Sequence, residues 1–365
     1  MALHSKLQQH FAGLTDVSLT CDIWTDRRAH AFLGVTVHSF VNGKADSHLL
    51  AFRVFAGSHT GTRIAEALET VIVDNNLASK IRFVVTDNAA NMRRALTVLI
   101  EESSCDVDDL SLWEDSSDEV DIQSVTGINC EHIACFAHSL QLVVHDGLGC
   151  LQVARSVTGK CSKLANIVHQ SALFRSTYEK ALGAGKIVPS SNDTRWNSTF
   201  RQLQCIAELD QVKLNSLLRE TNHDHLVFTA KDIAMLQELV KILAPFAEAT
   251  DLTQGESMVT ISCTVPILLS LHNILQSFLV SCTTFSAFIQ RLLTSLLDRF
   301  SGLYSLLGVR PLASSGTGSR SKPASFQSNV FLMAAALDPA YAFHWIQDHP
   351  GSAEEKEALR NKITG

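Results

Sequence analysis

Asp22, in Cys21-Asp22-Ile23-Trp24-Thr25-Asp26, and Asp87, in Val85-Thr86-Asp87-Asn88, are the residues of this 365-residue chain whose type and setting best suit chemistry. Each carboxylate falls inside or at the end of a run with strand character. Carboxylates brought together by neighbouring strands are what Mg²⁺-dependent phosphodiester cleavage requires, and a two-metal route with ions about 3.5–4 Å apart needs more than two of them. The plain structural reading is that both acids bind no metal, that Asp87 caps a helix, and that Asp26 belongs to a turn. Two further strings draw notice, Cys135-Phe136-Ala137-His138 and Asp193-Thr194-Arg195-Trp196-Asn197. The Arg195 guanidinium suits bidentate contact with a phosphate, and the Trp196 indole suits stacking on an exposed base. The equal alternative makes Trp196 an aromatic anchor, with Arg195 paired to Asp193. Cys130, His132, Cys135 and His138 have zinc-ligand chemistry, but they crowd into one short stretch, whereas structural zinc draws two ligand pairs across a longer spacer. No zinc site is therefore assigned, and Cys135 and His138 are read as packing or hydrogen-bonding groups at a helix start.

The elements that must position these groups follow from periodicity. Val17, Leu19, Cys21 and Ile23 alternate with Ser18, Thr20, Asp22 and Trp24, the period of a half-buried strand, so Asp22 points away from the apolar face. Residues 32–41 and 49–55 make two more strands. Asn42-Gly43 between them is a hairpin signal, set in a connection that exceeds two residues if the third strand starts at Leu49. Ile64, Ala67, Leu68, Val71 and Ile72 fall at helical offsets. The short apolar run 81–85 reads as a covered parallel strand ending at Thr86-Asp87-Asn88, with Asp87 or Asn88 capping a helix from Ala89. The order β-β-β-α-β-α, with one Asp on the first strand and another at the tip of the fourth, is an α/β layout of the ribonuclease-H-like kind, in which those strands are neighbours. A fifth strand is expected at 133–136 and a helix at 138–148. Beyond Asn197 the texture is helical. Residues 1–200 are thus assigned to the α/β core, including an acidic loop at 101–127, and residues 201–365 to an all-α insertion and the start of a C-terminal region.

Nearly half the residues are apolar, enough for a large core in two or three domains. The net charge of −7 is dominated by ten acidic residues between Glu101 and Asp121, a stretch without Lys or Arg, and the remainder of the chain is net positive. Trp113 lies within that stretch, where contact with a partner is its special reading. Arg27, Arg28, Arg93, Arg94, Lys160, Lys163, Arg195 and Arg201 are the basic residues suited to a DNA backbone, provided they share a face with Asp22 and Asp87. Nine cysteines without a paired framework fit a reducing compartment. No leader opens the sequence and the apolar stretch 261–280 is broken by polar residues and Pro266, so neither a signal peptide nor a membrane span is read.

In order, spacing and wording the four strings resemble the hAT superfamily of DNA transposases, and in particular the zinc-finger BED-domain proteins derived from them. The likeness runs from about Ser18 to about Trp345. It is specific in the first 200 residues, and after Phe200 it rests on helical texture and on Ala335-Ala336-Leu337-Asp338-Pro339 with Trp345. The resemblance implies a ribonuclease-H-like core with a large helical insertion, and a third catalytic acid, a Glu, in a closing segment that also supports dimerisation. The chain is expected to stop before that segment is complete, with Glu354, Glu355 and Glu357 read as a solvated helix. The BED finger would lie upstream of Met1. The implied role is a domesticated, catalytically inactive nuclear protein that associates with DNA, regulates RNA polymerase II transcription and pairs with itself or related family members. No membrane or small-molecule substrate is implied, and Mg²⁺ is needed only if catalysis survives. Two other classes stay open: the catalytic part of an active Mg²⁺-dependent transposase using Asp22, Asp87 and an acid outside this chain, and a protein-interaction scaffold.

Overall fold

The computed structural model describes residues 2–26, 28–87, 89–99, 128–185, 187–190, 196–255, 259–309 and 326–364. The acidic run with Trp113, together with Arg27, Asn88 and the string 191–195 that contains Arg195, lies outside the described residues. Five strands form one sheet, β1 (Val17–Thr25), β2 (Ala31–Val41), β3 (Lys44–Val54), β4 (Ile81–Thr86) and β5 (Glu131–Ala134), in the order β3-β2-β1-β4-β5. β1, β2 and β3 are antiparallel, and β4 lies parallel to both β1 and β5. The first and fourth strands are neighbours, as the element order requires.

Local chemistry explains each step. Burial alternates along β1 and β2, with Leu19, Cys21, Leu33, Val35 and Val37 inside. The β2–β3 hairpin is tighter than its sequence suggests. Val41 pairs with Lys44 across Asn42-Gly43, whose φ values of 52° and 76° fit the two-residue turn that suits the twist of the strands. β3 therefore starts at Lys44 rather than Leu49. Its first residues, Lys44 to His48, are polar and carry no strand signal. After Asp26, whose carboxylate accepts from the backbone N–H of Arg28 and His30, the chain turns through Ala29 in the left-handed region.

Three helices join the core of the sheet. Helix α1 (Ala2–Ala12), which periodicity does not announce, delivers Phe11 to the interior at 1% exposure. Helix α2 (Gly61–Asp74) buries Ile64, Ala65, Leu68, Val71 and Ile72, each large side chain contributing about 1.5–3 kcal/mol. Helix α3 (Ala90–Leu99) buries Met92, Ala95, Leu96 and Leu99. α2 and α3 approach so closely at Gly61 that a Cβ there would lie 2.8 Å from that of Arg94, so only glycine fits.

The chain divides into two compact units, one running through His138 and including Val259, the other comprising the rest of the described residues. The division falls in the first turn of α4 (Phe136–Gly149). Helices α5 (Arg155–Gln170) and α6 (Ala172–Leu182) pack with α7 (Trp196–Ala207), α8 (Gln211–Glu220) and α9 (Ala230–Thr253). Among its described residues the second unit is wholly helical, adding α10 (Thr264–Ser281), α11 (Ser286–Arg299), α12 (Ser301–Leu307), α13 (Val330–Leu337) and α14 (Ala353–Thr364). Thr229 and Asp232 form a capping box at the start of α9, and Lys160 bonds Asp232 at 2.8 Å. In α4, Asp146 accepts from Ser295 and Arg299 of α11. The segment Ile261–Ser281 is long and apolar enough to cross a bilayer, yet Val265, Leu268, Leu269, Leu271 and Leu275 are buried in this unit, as in a core helix. The string 335–339 has a structural use, since the Asp338 carboxylate accepts from the Ser262 hydroxyl and the Ala340 N–H.

Candidate functional site

The parallel pairing of β1 with β4 and of β4 with β5 ends at one level. Their last paired triple is Cys21, Thr86 and Ala134, and the next residue on each chain is Asp22, Asp87 and Cys135. The Cys135 N–H donates to the Thr86 carbonyl at 2.7 Å, so the pairing carries one step past β5. Three residues far apart in sequence thereby form one row just past the parallel pairing, at the carboxyl ends of β4 and β5, the side on which open α/β sheets place their ligands. Asp22 is exposed on the face opposite Leu19 and Cys21. One Asp87 oxygen accepts from the Ala89 N–H at 3.3 Å, close before α3 begins at Ala90.

Electrostatics report the convergence. Burial pushes the Cys21 thiol up to about 12, and the charges of Asp22 and Asp87 add to the shift. Burial also raises the Cys135 thiol, with Asp22 and Asp87 again contributing, against the N–H groups of His138 and Ala137 that donate to its sulfur. Cys135 therefore serves as a neutral cap on α4, and the Cys-x-x-His spacing places the backbone of His138 on its sulfur. Behind the row, His132 donates through Nε2 to the Thr86 hydroxyl at 3.0 Å, and that hydroxyl donates to the Asp87 carbonyl at 2.7 Å. This relay fixes the peptide that carries Asp87. Burial, helped by the Arg93 cation and opposed by Asp87, lowers His132 to about 4, so it stays neutral near pH 7. Sequence reading missed Thr86 and assigned His132 only to the zinc question. The sole signal for the relay was their position beside Asp87 and Cys135 on neighbouring strands.

No three of Cys130, His132, Cys135 and His138 bring ligand atoms within 4.8 Å of one another; His132 is drawn to Thr86, and the Cys135 sulfur to the start of α4. Among the described residues no third carboxylate, imidazole or thiol joins Asp22 and Asp87 at that range either. The two acids have the right chemistry for one Mg²⁺ ion, but the described residues do not supply the fuller set that two ions need. Glu355 is committed elsewhere, exchanging hydrogen bonds with Ser352 as the cap of α14, while Glu354 and Glu357 are exposed.

In the helical unit, Trp196 opens α7 at 8% exposure, its ring 6.1 Å from that of Phe200. Its indole N–H is buried without a hydrogen-bond partner among the described residues. This burial leaves little ring surface for a base. Lys160 is held by Asp232 and the Val227 carbonyl, and Arg201 pairs with Asp251 at 3.3 Å. Arg28 and Arg94, in the sheet unit, and Lys163, in the helical unit, are exposed.

Comparison with known proteins fits this architecture. Residues 20–109 match the model of the ZBED1 RNase-like domain, and residues 133–242 that of the ZBED1 RNase-like helical domain. The "Putative transcriptional regulator tpeD" of Talaromyces stipitatus is 25% identical over 70% of this chain and 31% of its own length. The "Putative AC transposase" of Zea mays is 25% identical over 65% of this chain and 28% of its own, and the "Putative AC9 transposase" of the same plant 26% identical over 51% and 21%. The chain thus spans less than a third of each of these relatives. With the strand order, the acid row and both domain matches in agreement, the chain belongs to the hAT-transposase-derived proteins of the ZBED type, with a ribonuclease-H-like α/β core and a helical insertion.

Proposed function

We propose that this protein is a nuclear, DNA-associated regulator of RNA polymerase II transcription, descended from a transposase and without strand-cutting activity of its own. The observation that carries the reading is how the groups around the acid row are used. Asp87 holds the backbone before α3, Cys135 caps α4, and His132 and Thr86 brace the peptide of Asp87. The row is built as a scaffold. The relative named as a transcriptional regulator supports the regulatory half of the proposal. DNA contact would come through exposed cations such as Arg28 and Arg94 and through Arg195, with pairing to a second copy or a related family member adding avidity.

A second reading, the catalytic part of an active Mg²⁺-dependent transposase, is favoured by one observation: Asp22 and Asp87 stand in a single row across adjacent parallel strands. Mg²⁺ held by these acids would polarise a phosphate oxygen and activate water, with the remaining acid supplied from elsewhere. Calorimetric titration with Mg²⁺ and Mn²⁺ of the wild type, Asp22→Asn and Asp87→Asn, alongside plasmid nicking and chromatin crosslinking of the full reading frame, separates the two. Regulation predicts crosslinking to DNA that survives both substitutions and no nicking that depends on the acids. Metal binding and nicking that both disappear in Asp22→Asn and Asp87→Asn would establish the transposase instead.

A further inference from the structure

At the other side of the sheet three side chains converge. His10, in the last turn of α1, and His48, on β3, direct Nε2 to the same Oδ2 of Asp46, at 2.9 and 3.0 Å. The three ligand atoms lie within 4.8 Å of one another, the only such group of His, Cys, Asp or Glu among the described residues. Asp46 and His48 are two apart on one strand, so the pleat sets them on the same face, and β3 is the edge of the sheet. The imidazole rings stand edge to face, 5.0 Å apart at 72°. Each side chain is about one-third exposed, at 34%, 32% and 32% for His10, Asp46 and His48.

We propose that His10, Asp46 and His48 form a binding site for a divalent transition metal of the zinc class, which clamps α1 to the edge strand. Two imidazoles and a carboxylate are the donor set zinc favours, whereas magnesium prefers oxygen ligands and retained water. Zinc–nitrogen bonds of about 2.0–2.1 Å in a tetrahedron put neighbouring ligand atoms roughly 3.3–3.4 Å apart. Nitrogen and oxygen at 2.9 and 3.0 Å need to separate by only a few tenths of an ångström. Solvent access leaves the fourth position to water.

With metal at Nε2 of each ring, the ring hydrogen sits on Nδ1, and the two hydrogen bonds to Asp46 give way to two metal–nitrogen bonds. The ligands are preorganised by groups that do not touch the metal. Phe11, adjacent to His10, is buried and packs edge-on against His48 at 5.9 Å, and Lys80 donates to the carbonyls of Phe11 and Ala12 at the end of α1.

The test is titration of the untagged full chain with zinc chloride by calorimetry, and with Co²⁺ by absorption spectroscopy, for the wild type, His10→Gln and His48→Ala. One equivalent should bind, with tetrahedral cobalt bands and no thiolate-to-cobalt charge transfer. Either substitution should weaken binding by at least about 100-fold, beyond what loss of an outer-shell partner costs. His10→Gln lies on a surface helix, and circular dichroism would verify that its fold is kept. Absence of saturable binding in the wild type, equal affinity in both variants, or a thiolate band from the cysteines would each overturn the proposal.

Discussion

The two sides of one sheet gather ionisable groups in different ways. On the parallel side, β1, β4 and β5 each contribute one residue just past their last shared pair, so Asp22, Asp87 and Cys135 meet from across more than a hundred residues of chain. On the antiparallel edge, β3 contributes two ligands from alternate positions and α1 the third. Around the parallel row, His132 and Thr86 brace the peptide of Asp87, and Cys135 caps α4. At the edge, two imidazoles converge on one carboxylate. The same sheet thus carries one row fixed through its backbone and one cluster that joins α1 to β3 through side chains.

The largest expected effect tests the neutral wall behind the acid row. His132 titrates near 4 in the folded protein because of burial and Arg93, and near 6.5 in the unfolded chain. Between those values the unfolded chain takes up a proton that the native state refuses. Its contribution is therefore fully present above about pH 6.5 and is lost as pH falls towards 4. About 2 kcal/mol of protection in β4 and β5 should disappear between pH 7 and pH 5, measured by amide hydrogen exchange, and His132→Gln should flatten that slope. An unchanged slope would mean that His132 is not held neutral.

Thr86 comes next. It is 1% exposed and links His132 to the Asp87 carbonyl. Thr86→Val keeps the shape but strands a donor and an acceptor, at a cost of about 1–3 kcal/mol, whereas Thr86→Ser should recover most of the loss. Denaturant melts of the three proteins, read through the exchange of β4, provide the comparison. If the valine variant matches wild type, the relay carries no energy.

The parallel side was legible because its information is local and repeated. The alternation around Asp22 and the apolar run before Asp87 each fix a face, and element order alone makes their strands neighbours. The edge cluster left no comparable trace. α1 is mostly polar, its contribution to the core rests largely on Phe11, and β3 opens with Lys44, Ala45, Asp46 and Ser47, where hairpin pairing overrides weak strand propensity. Where the two compact units divide is illegible for a related reason. Apolar periodicity shows that 155–182 is helical, but whether those helices pack with the sheet or with α7, α8 and α9 is decided by long-range contacts.

A smaller effect concerns Asp46. Replacing it with Asn keeps the volume but removes the charge that both imidazoles donate to. With the three side chains about one-third exposed, solvent screens much of the interaction. The expected loss is about 1 kcal/mol, seen as faster exchange at the end of α1 rather than in β4. Equal exchange in mutant and wild type would show that α1 is held by Phe11 and Lys80 alone.

The smallest effect sharpens the contrast most, because it should lie close to zero. Asp22→Asn and Asp87→Asn each remove one of two neighbouring charges, and an Asn oxygen at position 87 can still accept from the Ala89 N–H. Neither substitution should change stability by more than about 0.5 kcal/mol at neutral pH. Because both acids also act on the Cys135 thiol, either substitution should lower that thiol's pKa slightly, measurable as faster alkylation at alkaline pH. A loss of more than about 1 kcal/mol from Asp22→Asn would show that this carboxylate is a structural member of the sheet. The two sides would then be alike in supporting the fold through their side chains, and the contrast between a row fixed by its backbone and a cluster fixed by its side chains would fall.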